Sequence, residues 1–134
     1  MQYNVIVVVG IVENNGQILI GKKAPTPGHR LDGAWHIPGG RLHKDETEEL
    51  ALIREIREEA GLDIIVKDFI DEIIFENGKV LIRWYHCSSE NCNPIPGDDL
   101  VEAKFVPKSD ILKVLDQRAI SSFPPKVLEY FLLL

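Results

Sequence analysis

Cysteine is scarce: Cys87 and Cys92 are the two in 134 residues, too few for a disulfide framework. With His86 they offer three good ligands where a tetrahedral zinc site takes four, so a structural role is expected for all three. Long apolar runs are missing as well. The first, Val5 to Val9, is far too short to span a bilayer. No basic residue precedes it and no small-residue cleavage site follows, so neither a signal peptide nor a membrane partner is expected, and the cytoplasm is the default compartment. Positive charge is in deficit, 15 Lys and Arg against 21 Asp and Glu, a net charge of -6 that argues against long nucleic acids held by charge alone. A small phosphorylated ligand stays compatible, because divalent cations bridge two sets of negative groups.

What is present is an ordinary globular composition, 45% hydrophobic and 27% charged, without repeats or low-complexity stretches. Its length predicts one domain, residues 1–134. Residues 3–12 and 17–24 read as β-strands around the turn signal Asn14-Asn15-Gly16. A Pro- and Gly-containing loop then ends in WHIPGG at 35–40. The pattern is helical from Glu46 to Ala60, with Asp45 and Glu48 resembling a capping box and Gly61 placed as the C-terminal cap. Strands are predicted at 63–75 and 79–87, joined by a Glu76-Asn77-Gly78 turn, and near 103–106 after a loop at 93–99. Short helices are predicted at 108–116 and 124–132. Strands before and after a central helix predict an α/β fold, a mixed β-sheet with helices on both faces. The apolar segment Val127 to Leu134 reads as a core helix, with a homodimer contact as the alternative.

Charge is unevenly spread. Seven of the 21 acidic residues lie between Asp45 and Glu59, opposed there by Arg54 and Arg57 alone. On a helical wheel Leu50, Leu52, Ile53, Ile56 and Ala60 share one broad arc, while Glu55, Glu58 and Glu59 share its neighbour. Like charges on adjacent turns repel, and the helix C-terminus disfavours negative charge. A bound cation would offset both costs. Oxygen ligands without His or Cys point to Mg²⁺, with Mn²⁺ as the alternative. The competing reading is a solvated acidic face.

The flanking loop weighs against that competitor, since Pro38-Gly39-Gly40 can present backbone groups to an ion or phosphate. The segment GRLHKDETEELALIREIREEAGL, Gly40 to Leu62, resembles the Nudix box, G-x5-E-x7-R-E-U-x-E-E-x-G-U with U a bulky apolar residue. Gly40, Glu46, Arg54, Glu55, Ile56, Glu58, Glu59, Gly61 and Leu62 fill every specified position. The resemblance implies a Nudix-like α/β/α sandwich with a loop–helix–loop catalytic motif. It also implies divalent-metal-dependent hydrolysis of a pyrophosphate bond in a small nucleotide-type substrate. By the same resemblance Glu55, Glu58 and Glu59 are the metal ligands, with the Gly39 carbonyl as a further one and Glu55 as an alternative general base. Arg54 and Glu46 form the pair that orients them, and Gly40 and Gly61 shape the loops. Relatives often add an acidic residue from a loop before a following strand; DLVEAKF at 99–105 resembles that pattern and makes Asp99 and Glu102 candidates. Lys22, Lys23 and Arg41 are candidates for phosphate contacts, and Trp35 and Tyr85 for stacking on a base or sugar, with core packing as their other reading.

A narrower likeness links Ile20 to Thr47 with the GDP-mannose mannosyl hydrolases, through PGGR followed by KDET and through Asp45 where Gly is commoner. Those enzymes lack one box glutamate and use a histidine where this chain has Leu100, so water attack at phosphorus is expected rather than at the sugar carbon. Gly78 occupies the position of a proline found in many ADP-ribose hydrolases. Nucleoside triphosphates, nucleotide sugars and other nucleoside diphosphate derivatives all remain open as substrates. The alternatives are a GDP-sugar glycosyl hydrolase and a non-catalytic nucleotide-binding module, which would be expected to lose box glutamates.

Overall fold

Strand β1 (Val5–Asn14) is rich in β-branched residues, and its alternation sends Val7, Val9 and Ile11 to one face and Val8 and Val12 to the other. In the computed structural model, which describes residues 3–75 and 78–132, both faces of this strand are covered. β2 (Gln17–Lys23) runs antiparallel to it around Asn15 and Gly16, both with positive φ. β3 (Trp35–His36) and β4 (Gly39–Arg41) come from the WHIPGG segment, which supplies two short strands rather than the end of a loop. β5 (Ile65–Phe75), β6 (Val80–Ser88) and β7 (Leu100–Pro107) complete a seven-stranded sheet. Its main path is β3-β2-β1-β6-β5, with β4 on β1 and β7 on β2. The β1–β6 ladder is parallel and the others are antiparallel, so the sheet is mixed. Two residues of the expected turn before β6, Glu76 and Asn77, lie outside the described residues.

Helix α1 (Glu48–Ala60) covers the face that carries Val8 and Val12, packing Leu52, Ile56 and Ala60 on them and on Leu19. Its start differs from the expected one. Thr47, in extended conformation, is the N-cap and accepts from Leu50 N at 3.2 Å. Asp45 cannot cap because its φ is 63, the left-handed region that Gly and, at some cost, Asp occupy. Glycine would meet that backbone demand without strain. Leu50 also departs from its predicted arc and is 56% exposed. The other face is covered by α2 (Ile111–Val114), α3 (Gln117–Ile120) and α4 (Pro125–Leu132). The helix expected over 108–116 is a 3-10 turn at Lys108–Asp110 followed by the four residues of α2, and α3 has no counterpart in the sequence reading.

In α4, Val127 and Phe131 enter the core while Leu132 is exposed; residues 133 and 134 lie outside the described residues. Cys87 is buried, with its thiol pushed up to about 12 by desolvation, and Cys92 is exposed; neither is in a disulfide. His86 contacts Tyr130 Oη at 3.0 Å and Glu13 at 3.4 Å, consistent with a structural role. Among the described residues no helix is long and apolar enough to cross a membrane.

Candidate metal and phosphate site

The helix turns Glu55 and Glu59 inward, to 9% and 5% exposure. Carboxylates are seldom buried unless they are paired or bind a metal. Asp98, from the loop before β7, joins them: ligand atoms of Glu55, Glu59 and Asp98 all lie within 4.8 Å of one another. One oxygen, Glu59 Oε1, is buried without a hydrogen-bond partner. Burial, then the charges of Glu55, Asp98 and Asp99, push the Glu59 carboxyl up to about 8, against a hydrogen bond from the Gly39 backbone. Burial also raises Glu55, opposed by Arg54. An all-oxygen cluster with a buried orphan oxygen fits a hard divalent cation, which would satisfy the oxygen and favour the ionised carboxylates.

Arg54 ties this cluster to the loop before the helix. Its guanidinium donates to Glu46 at 2.7 and 3.0 Å, to Glu55 Oε1 at 2.9 Å, to Glu58 Oε1 at 3.0 Å and to the Arg41 carbonyl at 3.0 Å. The Arg54 bonds, aided by the His43 backbone N–H, hold Glu46 down to about 2, and Arg54 is raised above its ordinary value in turn. A planar fork with five donors can serve three carboxylates and a carbonyl at once; a lysine could not. Gly40 completes the packing, since a Cβ there would lie 2.2 Å from Glu55 Cδ.

A cavity of about 710 Å³ opens beside the cluster. Glu55, Glu59, Asp98 and Asp99 line it, with Lys23, Arg30 and Arg41 as the cationic groups and His29, His36 and His43 among them. Its apolar wall follows the ladder register, with Val5 opposite Val80, Val7 opposite Ile82 and Val9 opposite Trp84, and Phe123 adds to it from beyond α3. A register shift between Lys22 and Lys23 divides these neighbours. Lys23 is buried in the cavity wall, 3.5 Å from Asp99, whereas Lys22 points away to Glu102 at 3.8 Å.

Of the residues predicted from sequence, the structure therefore brings Gly39, Glu55, Glu59, Lys23, Arg41 and Asp99 to one cavity, with Arg54 and Glu46 behind them. Glu58 is half exposed and paired with Arg54. Lys22, Glu102 and Trp35 are not in the cavity lining. Trp35 packs against the core beyond the sheet under Lys104, and Tyr85 bonds Glu48 and stacks edge-on with Phe69. Sequence reasoning missed Asp98. The signal was the adjacent pair Asp98-Asp99, whose inward member is set by the turn at 97–100. His29, Arg30, His36 and His43 were also missed, and no spacing in their loops marks them.

The family model described as NUDIX domain matches residues 2–129. The chain is 36% identical over 64 residues to the CTP pyrophosphohydrolase of Escherichia coli, covering 48% of this chain and 46% of that protein. It is 35% identical over 63 residues to the 8-oxo-dGTP diphosphatase of Proteus vulgaris, covering 47% of this chain and 54% of that one. The matches thus span about half the length of these curated relatives. A NUDIX hydrolase from Nitrosomonas europaea superposes with a TM-score of 0.76 at 18% identity, covering 97% of this chain and 69% of the other, which is a likeness of fold.

Proposed function

The chain belongs to the Nudix family, and from that premise we propose that it hydrolyses a pyrophosphate bond in a small nucleotide-type substrate by water attack at phosphorus. The observation that carries the reading is the buried, unpartnered Glu59 Oε1 within a three-carboxylate cluster, on a cavity of about 710 Å³ that also presents Lys23, Arg30 and Arg41. Mg²⁺, with Mn²⁺ as the alternative, is the cofactor; Glu55, Glu59 and Asp98 hold it, and Glu58 and the Gly39 carbonyl are further candidates. When bound, the cation neutralises the diphosphate and acidifies the attacking water.

The protein's own groups do the rest. Arg54 fixes the Glu55 carboxylate and is itself fixed by Glu46, so the ligands need no reorganisation when substrate arrives. Lys23 and Arg41 balance the phosphate charge, and Asp99 holds Lys23 in place. A carboxylate of the cluster accepts the proton of the attacking water. The apolar row along β1 and β6 receives the nucleoside portion. Residues 1–134 act as one domain in this reading.

The named activities of the relatives, on CTP and 8-oxo-dGTP, favour nucleoside triphosphates as the first substrates to examine. A nucleotide panel that includes nucleotide sugars, read by phosphate release with a coupling phosphatase, is expected to give turnover with Mg²⁺ and none in excess EDTA. Turnover in verified absence of metal would overturn the cation requirement. No turnover on any member, with binding retained, would leave a nucleotide-binding module. In H₂¹⁸O the label should enter a phosphate-containing product; label solely in a released sugar would establish attack at carbon.

A further inference from the structure

The segment that delivers Asp98 to α1 is docked on the end of that helix. The last carbonyls of a helix have no donor within it. Here the Glu59 carbonyl accepts from Gly97 N–H at 3.0 Å, and the Ala60 carbonyl accepts from Ile95 N–H at 2.8 Å. Backbone of the 89–99 loop thus stands where water would otherwise cap the helix. Leu100 N–H then donates to the Gly97 carbonyl at 2.9 Å, closing a turn whose first central residue is Asp98, with φ 49. Asp tolerates this conformation better than most side chains do. The same turn puts the Asp98 carboxylate against Glu55 and the buried, unpartnered Oε1 of Glu59.

The docking leaves no room at Gly97. A Cβ there would stand 2.6 Å from the carbonyl oxygen of Glu58, a backbone atom inside α1 that cannot rotate away. The φ of Gly97 is not in the left-handed region, so what the position requires is space.

We propose that Gly97 is a positioning residue. Its missing side chain lets the loop backbone seat on the Glu58–Ala60 turn, and that seating fixes Asp98 as the third carboxylate of the site. The proposal rests on the reading of Glu55, Glu59 and Asp98 as a divalent-cation site. Gly97 touches neither cation nor substrate in this account; it acts through where it places Asp98. Because both hydrogen bonds run from loop amides to helix carbonyls, the helix end and the loop form one body, and a displacement of the loop separates one ligand from the other two.

The test uses the full chain and Mn²⁺ alone, with affinity read by electron paramagnetic resonance without substrate. Gly97→Ala is expected to weaken Mn²⁺ binding about 10–100-fold, the usual scale for loss of support behind a ligand. Asp98→Asn removes the charge and keeps tolerance of the turn. In that background Gly97→Ala should change affinity by less than about twofold, because no carboxylate is left to misplace. Full additivity of the two losses would overturn the proposal, as would an unchanged affinity in Gly97→Ala. Amide hydrogen exchange on the unaltered protein needs no variant to fold: protection of Gly97 and Ile95 comparable to that of α1 is expected, and free-loop exchange would overturn the docking. If Glu59→Gln abolishes binding while Asp98→Asn leaves it intact, the site excludes Asp98 and this proposal falls alone. If neither substitution alters binding, the cation reading beneath it falls as well.

Discussion

The two faces of the sheet are built on different terms. One is covered by a single 13-residue helix that buries Glu55 and Glu59 beside Leu52 and Ile56. The other is covered by helices of four, four and eight residues that bury Trp84, Phe123 and Phe131, with ring contacts between Trp84 and Phe123 and between Phe123 and Phe131. The first face accepts unfavourable electrostatics, repulsion among clustered carboxylates in a desolvated place. The second contains little of that and gathers apolar area. A continuous helix can hold carboxylates on adjacent turns at fixed separation, which short pieces joined by turns do less well. The contrast assigns the carboxylate cluster to one face, and the ring packing together with the apolar wall of the cavity to the other.

The largest effect should come from the apolar face. Phe131 is 3% exposed, and Phe131→Ala is expected to cost about 3–5 kcal/mol in urea unfolding while the folded fraction keeps its Mn²⁺ affinity. Equal damage to affinity would erase the division between the faces.

Glu59→Gln should do the opposite. Turnover should fall about 10²–10³-fold, and the melting temperature in EDTA should hold near pH 7 and rise above pH 8, where the substitution removes an ionised carboxylate repelled by Glu55 and Asp98. Near-normal turnover with an unchanged Mg²⁺-induced melting shift would return Glu59 to a structural role.

The smallest effect is a slope. Without metal the Glu59 carboxyl stands at about 8 in the folded protein, above its ordinary 4.5. A raised folded-state pKa gives stability that is fully present below the unfolded value and lost as pH rises through the folded one. The melting temperature in EDTA should therefore fall between pH 5 and pH 9, and fall less in Glu59→Gln. With saturating Mg²⁺ the trend should flatten or invert, since the cation competes with the proton. An identical slope in the variant would place the titrating group elsewhere.

The same contrast governs what the sequence discloses. Helix α1 was legible because its apolar stripe, its carboxylate spacing and Gly61 agree over four turns. The strands β1, β2, β5 and β6 were legible by alternation and turn residues. α2 and α3 were not, since four residues are too few to establish a helical period. β3 and β4 are two and three residues long and are strands only because β2 and β1 pair with them. Within the site, Glu55, Glu59, Arg54 and Glu46 were readable from periodicity and motif. Asp98 was not, because one turn's dihedral angles decide which of two adjacent aspartates faces the helix. Lys22 and Lys23 carry the same ambiguity, resolved by a register shift in the ladder.

The two cysteines have a practical consequence. The Cys87 thiol is buried and held near 12, so it presents almost no thiolate to a reagent at neutral pH, whereas Cys92 is exposed. A maleimide fluorophore should therefore attach to the native chain at one place, five positions before Gly97 in the same loop. The unaltered protein carries a built-in reporter on the segment that delivers Asp98, and its emission or anisotropy can follow that segment in real time as cation and nucleotide are added.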